Sequence, residues 1–546
     1  MRALLMYPDQ DFGDDQILRD VMYRYRRDAD RQPQLSPRER NLIQDLELDT
    51  LLYAMAGEDE FLFEVARRVL PSGPENNLET IVYRQQVLKD CLKNTTMVRQ
   101  IYDVTVEAVE QTKKRWWDLS SKYPSSLLHS SIDILEVLSA ILRKLRGIAE
   151  EQAGRFESEA FTALFAVLRK ELTDDYLASI QNHLTESRFR KGVLLSADLG
   201  EWNESTNYVL HRAPGKDLTW FQRILGKKPP GYTFRLAERD EAGARILSEI
   251  RHRGISRVAI ALAQSASHVL SFFRMLRTEL AFYVGCLNLH DRLAAKGEPV
   301  CFPTPVSACE RRHRFTGLYD VCLSLHMEHR VVGNTAHANG KSLVIVTGAN
   351  QGGKSTFLRS IGLAQLMMQC GMFVGAETFE AALCPALFTH YKREEDRTMK
   401  SGKFDEELAR MSEIADHITP NSMVLFNESF AATNEREGSE IAKQIVSALL
   451  EKHVKIFYVT HLYEFARGFF DKKIEEAFFL RAERNDDGTR TFRLFEGEPL
   501  ETSYGEDLYR QEFGAFEVVK AGKIEWQFRK YTPSLACDVD REDSQR

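Results

Sequence analysis

Hydrophobic and polar positions follow a helical period over two parts of the chain. Between residues 41 and 195, apolar residues recur every three to four positions, as in LIQDLELDTLLYAMAG and ILEVLSAILRKLRGIAEEQ. This period places apolar side chains on one face of a helix. The same period returns over residues 241–300. The pattern predicts an all-helical lever, or core, domain that the chain leaves and then re-enters.

The segment between these helical parts has a different character. Residues 196–240 are rich in glycine and proline and contain short alternating runs such as YTFRL. Such runs are typical of β-hairpins or of an ordered loop. We therefore expect a small β-rich insertion that projects from the helical domain. Residues 1–40 and 516–546 are charged, polar extensions at the two ends of the chain.

Strands and helices alternate over residues 301–515. SLVIVTG, SMVLFNE and KIFYVTH are continuous apolar runs, which is the pattern of strands buried on both faces. A helical segment, STFLRSIGLAQLMMQCG, follows the first run, and another over residues 437–452 separates the second from the third. This alternation predicts a mostly parallel sheet with helices on both faces, an α/β domain that follows the helical one.

Composition narrows the classes of protein that fit. Net charge is −7 and 28% of residues are charged, so the whole chain presents no basic field and a nucleic-acid surface would have to be local. The eight cysteines are scattered without a CxxC pair, which argues against a zinc site or a disulfide framework and favours the cytoplasm. The most apolar long segment, residues 260–289, contains Arg274, Arg277 and Glu279, so we expect no membrane span.

A phosphate-binding motif, GANQGGKS, lies at residues 348–355. It matches G-x-x-x-x-G-K-[ST] between a predicted strand and a predicted helix, the context in which backbone N–H groups cradle phosphates. A chance glycine-rich turn is the alternative. The motif predicts that Lys354 reaches the β- and γ-phosphates of a nucleotide and that the Ser355 hydroxyl binds Mg²⁺. The candidate ligands are Gly348, Ala349, Asn350, Gln351, Gly352, Gly353, Lys354, Ser355 and Thr356.

Polar side chains end the next two predicted strands. Asn427 and Glu428 follow one strand, and His461 follows the other. Because the carboxyl ends of parallel strands meet at one edge of a sheet, we expect Lys354, Glu428 and His461 to converge there. Glu428 is then the candidate base that orients water, and His461 could touch the γ-phosphate. Polar residues at a solvent-facing strand end are the alternative interpretation.

Three segments together resemble the ATPase domain of the MutS family: GANQGGKSTFLR, MVLFNESFAATNE and YVTHLYEF. The resemblance covers about residues 325–515 and implies an ABC-type P-loop ATPase whose active sites are shared across a homodimer. SYGEDLYRQEFG resembles the helix-turn-helix through which such domains pair. Ser401 and Gly402 match the segment that covers the partner's γ-phosphate, and Asn334 matches a position near the adenine. With only residues 1–40 before the helices, we expect a short member without the mismatch-reading and connector domains.

Asn427 stands where the family has an aspartate that supports Mg²⁺. An amide oxygen can still accept a hydrogen bond from a magnesium-bound water, but it carries no charge. Since Lys354, Glu428 and His461 are present, we expect slow, Mg²⁺-dependent ATP hydrolysis. The alternative is a protein that binds ATP and dimerises without hydrolysis.

The insertion carries the candidate DNA contacts. Residues 205–236 contain six basic residues against one acidic residue, with aromatic residues interleaved, and such side chains bind phosphates and stack on bases. The basic candidates are Arg212, Lys216, Arg223, Lys227 and Lys228. A small β-module with its own aromatic core is an equal alternative.

Two functions follow from this reasoning. The first is a homodimeric, ATP-gated clamp on mismatched, branched or distorted DNA, associated with the nucleoid. The second is a nucleotide-switched module that binds another protein and not DNA.

Overall fold

The computed structural model describes residues 2, 4–9, 35–72, 75–116, 123–190, 192–202, 204–211, 233, 235–393, 402–485 and 489–500. These residues belong to one structural unit, residues 1–503. The C-terminal helix-turn-helix predicted at 503–514 and the tail at 516–546 lie outside the described residues.

Helices fill the first part of the chain, as the periodic pattern predicted. They are α1 (Pro37–Asp45), α2 (Leu48–Ala56), α3 (Glu60–Ser72), α4 (Leu78–Lys93), α5 (Thr95–Trp116), α6 (Pro124–Gln152), α7 (Glu159–Glu171) and α8 (Asp174–Ser187). Side chains define several of the helix starts. Ser36 and Glu39 form a reciprocal capping box at α1, while Ser158 and Thr173 each accept a backbone N–H at α7 and α8.

The insertion begins as an antiparallel hairpin of β1 (Leu194–Leu199) and β2 (Ser205–His211). A hairpin was predicted in this region, although the described residues of the YTFRL run (233, 235 and 236) are not in a strand. The chain then returns through α9 (Glu241–Ala295), one continuous helix over the segment where the helical period returns. With 55 residues, α9 is about 80 Å long.

Among the residues that the structure describes, two helices are long and apolar enough to cross a membrane, Pro124–Arg155 and α9. Length and composition therefore do not exclude a span, and the expectation based on Arg274, Arg277 and Glu279 was wrong on that point. One or two such helices are weak support for a membrane protein. In this chain α6 and α9 pack against each other and against α5, as the helices of a helical core do.

A six-stranded sheet forms the centre of the second part of the chain. Its strands are β6 (Leu343–Gly348), β8 (Leu387–Tyr391), β9 (Met423–Asn427), β10 (Lys455–Val459), β11 (Ala477–Arg484) and β12 (Arg490–Glu496). Their order across the sheet is β12, β11, β6, β10, β9, β8. The last five in this order are parallel, whereas β12 is antiparallel to β11, so the predicted mostly parallel sheet is present.

The two faces of this sheet belong to two hydrophobic cores. Along β6, Val344 and Val346 join the core that continues into the helical domain, while Leu343 and Ile345 face a second core. This alternation is the period-2 pattern of a strand. The helices of the α/β part are α11 (Lys354–Gln369), α12 (Lys403–His417), α13 (Glu435–Glu451) and α14 (Tyr463–Asp471). The core shared with the helical domain includes α11, and the second core includes the other three.

A second, four-stranded sheet was not predicted from the sequence. It consists of β3 (Thr304–Val306), β4 (His313–Leu318), β5 (Asn334–His337) and β7 (Thr378–Ala382), in the order β3, β7, β4, β5. A short helix, α10 (Val321–His326), follows β4. This sheet brings β5 beside β12, and that contact forms part of the site described next.

Candidate nucleotide site

The phosphate-binding loop joins β6 to α11. Gly348 and Gly353 have φ values of 112° and 81°, a region of backbone conformation that residues with a Cβ rarely adopt. Gln351 has a φ of 58°. These residues connect the end of β6 to the start of α11, the strand–loop–helix geometry in which backbone N–H groups bind phosphate.

Lys354 is held inside this loop. Its Nζ donates hydrogen bonds to the carbonyl oxygens of Gly348 at 3.0 Å and Ala349 at 2.9 Å. Burial lowers the pKa of Lys354 to about 8, the nearby Glu428 carboxylate opposes this shift, and Arg490 adds to it. The nearby negative charge only partly offsets the burial of the Lys354 ammonium group, so this group is suited to bind an incoming phosphate.

Ser355 and Asn427 meet at the start of α11. The Ser355 Oγ donates a hydrogen bond to the Asn427 Oδ1 at 2.9 Å. Across the described part of the chain, no group of three or more His, Cys, Asp or Glu side chains is placed to hold a metal. Mg²⁺ prefers oxygen ligands and usually keeps several waters beside substrate phosphates. The Ser355 hydroxyl oxygen and the Asn427 amide oxygen lie next to the loop and are ligands of the kind that Mg²⁺ prefers.

Glu428 and His461 are hydrogen-bonded, with His461 Nε2 at 2.8 Å from Glu428 Oε1. The Glu428 N–H also donates to the Val459 carbonyl oxygen at 2.9 Å, which ties the end of β9 to the end of β10. The hydrogen bond from His461 is the main cause that lowers the pKa of Glu428, and burial opposes it. Glu428 is therefore a carboxylate at neutral pH. The structure brings these two residues and Lys354 to one edge of the sheet, where the sequence placed them.

A cavity of about 560 Å³ opens beside the loop. Glu428, His461 and the loop line part of it, and the remainder is largely apolar. The apolar lining consists of Leu318, Tyr319, Leu323, Met327, Val331, Val332, Phe357 and Phe492. A cavity with a phosphate-binding loop and an apolar wall has the size and the chemistry that a nucleotide requires.

Asn334 also lines the cavity, as expected for a position near the base. Its amide, however, joins two strands: Nδ2 donates to the Phe492 carbonyl oxygen at 3.3 Å, and Oδ1 accepts from the Leu494 N–H at 2.8 Å. These bonds hold Phe492 beside the loop.

Arg490 and Phe492 were missed by the sequence reasoning. Arg490 donates through Nε to the Asn350 carbonyl oxygen at 3.2 Å. Phe492 is 49% exposed and has a φ of 60°. An alternating run, RTFRLF, predicts a strand at this point, but nothing local in the sequence indicates which site that strand borders.

Several predicted residues cannot be placed. Ser401 and the DNA candidates Arg212, Lys216, Arg223, Lys227 and Lys228 lie outside the described residues. Gly402 is described and is the N-cap residue of α12.

The fold and the site together define a P-loop nucleotide-binding domain attached to a long-helix domain. Comparison with known proteins gives the same division. Residues 76–296 match the model of the MutS2 N-terminal domain, and residues 344–524 match the model of MutS domain V. The chain therefore belongs to the MutS family, which confirms the resemblance. Domain V is a P-loop ATPase domain in this family.

Individual relatives match over limited segments. MutS protein homolog 4 of Mus musculus is 30% identical over 148 residues, 27% of this chain and 15% of that protein. DNA mismatch repair protein MutS of Leptospira interrogans serogroup Icterohaemorrhagiae serovar Lai is 26% identical over 223 residues, 40% of this chain and 26% of that protein. Endonuclease MutS2 of Thermus thermophilus is 34% identical over 120 residues, 22% of this chain and 16% of that protein. The chain thus matches about a quarter or less of each of these relatives.

Proposed function

We propose that this chain binds ATP with Mg²⁺ and hydrolyses it slowly. The observation that carries this proposal is the contact between Glu428 and His461 at 2.8 Å, on the cavity that the phosphate-binding loop also lines. A loop without a base beside it would support binding alone. Here a carboxylate with a lowered pKa lines the same cavity as the loop, which supports a role for it in orienting water toward a terminal phosphate.

Each residue has a defined role in this proposal. Lys354 would bind phosphate oxygens, and Ser355 and Asn427 would hold the metal, Asn427 by accepting a hydrogen bond from a metal-bound water. Bound Mg²⁺ supplies charge neutralisation for the phosphates. Glu428 orients the attacking water, and the imidazole of His461 fixes the Glu428 carboxylate.

The partners of the whole protein are part of the same proposal. We infer a homodimer of the α/β parts, in which Ser401 and Gly402 of each subunit cover the nucleotide of the other. The long helices then form a clamp on mismatched, branched or distorted DNA. The family assignment and the basic sequence of residues 205–236 support this inference.

Turnover of the purified protein over a Mg²⁺ titration tests the hydrolysis step. The reaction is run with and without duplex and branched DNA, and Glu428→Gln is the matched blank. We expect slow turnover above the blank that responds to DNA. ATP binding with turnover no higher than that of Glu428→Gln would make the chain a nucleotide-binding switch instead.

A second experiment separates the DNA clamp from a protein-interaction module. Reversing the charge of Arg223, Lys227 and Lys228 to Glu should abolish salt-sensitive DNA binding, because phosphate contacts release counterions. ATP turnover without DNA serves as the control for folding. If this triple variant binds DNA as tightly as the parent protein does, the proposal of a DNA clamp is wrong.

A further inference from the structure

The turn that follows β9 has an unusual backbone. Glu428 and Phe430 have φ values of 53° and 63°, although neither is glycine. Residues with a Cβ keep such conformations only where the surrounding structure holds them, and they concentrate at functional sites. The candidate base is therefore part of a turn that requires support from outside its own strand.

Two side chains from other elements provide much of this support. The Glu407 Oε2 of α12 accepts a hydrogen bond from the Phe430 N–H at 2.9 Å. His390 of β8 contacts the Ser429 Oγ through Nδ1 at 2.7 Å and the Glu407 carbonyl oxygen through Nε2 at 2.9 Å. Tyr458 adds a hydrogen bond from its hydroxyl to the Ser429 carbonyl oxygen at 2.9 Å.

These groups are buried, so their hydrogen bonds do not compete with water. His390 and Ser429 are 0% exposed, and Glu407 is 5% exposed. Burial lowers the pKa of His390 to about 4, and Arg410 adds to the shift, so the ring is neutral at physiological pH. In the neutral ring Nε2–H donates to the Glu407 carbonyl oxygen, and Nδ1 faces the Ser429 Oγ. The single hydroxyl hydrogen of Ser429 also has the His390 carbonyl oxygen within reach, at 2.5 Å.

We propose that Glu407 and His390 are positioning residues for Glu428, and that they make its orientation depend on α12. The proposal rests on the hydrolysis proposed above. Glu407 lies about one turn after the start of α12 at Lys403. Gly402, the N-cap of this helix, belongs to the segment expected to cover the partner's nucleotide. A displacement of α12 on dimer closure would therefore reach the turn after β9 through the bond from Phe430 to Glu407.

The hydrogen bond to Phe430 is the part of this network that a substitution can isolate. Glu407→Ala removes the acceptor, whereas Glu407→Gln keeps an oxygen that can accept from the same N–H. Asp416→Ala removes an exposed acid from the same helix and is the matched control. Single-turnover hydrolysis, ATP affinity and amide hydrogen exchange at Phe430 are measured for all three variants and for the parent.

We expect Glu407→Ala to slow single-turnover hydrolysis by about 10–100-fold, the usual loss when a supporting partner of a catalytic group is removed. ATP affinity should stay unchanged, Phe430 exchange should accelerate, and Glu407→Gln should recover most of the rate. Equal losses of rate and affinity in both variants would show a general structural role and overturn the proposal. So would parent-like hydrolysis and exchange in Glu407→Ala.

Hydrogen exchange separates this proposal from the proposed hydrolysis. If the parent protein shows no turnover above Glu428→Gln, the proposed function fails, but exchange at Phe430 still shows whether Glu407 holds the turn. Exchange that ATP changes in the parent but not in Glu407→Ala would support coupling through α12. If ATP changes the exchange at Phe430 by the same amount in the parent and in Glu407→Ala, coupling through α12 is overturned.

Discussion

Replacing Asn427 with Asp tests how the site works with an amide in place of a carboxylate. The Asn427 Oδ1 already lies 2.9 Å from the Ser355 Oγ, so a carboxylate oxygen at the same position needs no rearrangement of the backbone. The variant adds one negative charge beside the predicted metal position. Asn427→Ala, which removes the oxygen altogether, is its natural counterpart.

The size of the effect follows from two estimates. A carboxylate and a doubly charged ion about 4 Å apart attract by about 8 kcal/mol at an effective dielectric constant of 20. Partial burial of the new carboxylate opposes that gain, so the direct attraction is an upper bound. Loss of a supporting partner around a metal typically costs about 10–100-fold in affinity or activity. That range corresponds to about 1.4–2.7 kcal/mol, and we expect the net gain from Asn427→Asp to fall within it.

The assay is a Mg²⁺ titration of ATP turnover, paired with ATP binding in EDTA. We expect Asn427→Asp to lower the Mg²⁺ concentration at half-maximal rate by about 10–100-fold. In EDTA its ATP affinity should fall below that of the parent, because the carboxylate then repels the phosphates. An unchanged Mg²⁺ requirement in both Asn427→Asp and Asn427→Ala would refute the idea that residue 427 supports the metal.

Three further substitutions test other parts of the structure. Lys455→Met should stabilise the fold, because burial lowers the pKa of this amine to about 7. The free-energy cost of burying the charged amine is complete below pH 7 and decreases as pH rises toward 10.5. The decrease is at most about 1.4 kcal/mol per pH unit. Denaturant midpoints at several pH values check this. Arg359→Met leaves the fully buried Asp320 carboxylate without its ion pair and should cost about 3–5 kcal/mol in the same assay. Phe492→Ala should weaken ATP binding by about 1–3 kcal/mol if the ring stacks on the base, as measured by calorimetric titration, with Phe495→Ala as control.

Local patterns predicted the centre of the site well. The loop at residues 348–355 depends on a contiguous motif, and Glu428 and His461 each end a continuous apolar strand. Once the strands are parallel and adjacent, their ends must meet, so the convergence of these side chains with Lys354 follows from the pattern alone.

Features that depend on distant pairing could not be predicted in this way. Asn334 and Leu494 are 160 residues apart and meet because β5 lies beside β12. His390 and Ser429 are separated by 39 residues, and neither has a periodic pattern that indicates the other. α9 is uninterrupted because residues 241–295 contain no proline, yet periodicity alone did not distinguish one long helix from several.

α11 gives the nucleotide site a direct mechanical connection to the helical domain. The helix begins at Lys354, and its Arg359 pairs with both Asp320 and Glu47, the second of the two residues between α1 and α2. Gly362 allows close approach of Leu46, since an added Cβ would lie 2.7 Å from that side chain. At its other end, Gln369 exchanges hydrogen bonds with the backbone of Glu75. Because close-packed interiors transmit displacement instead of absorbing it, a shift of the loop on phosphate binding should reach the base of the long helices with little loss.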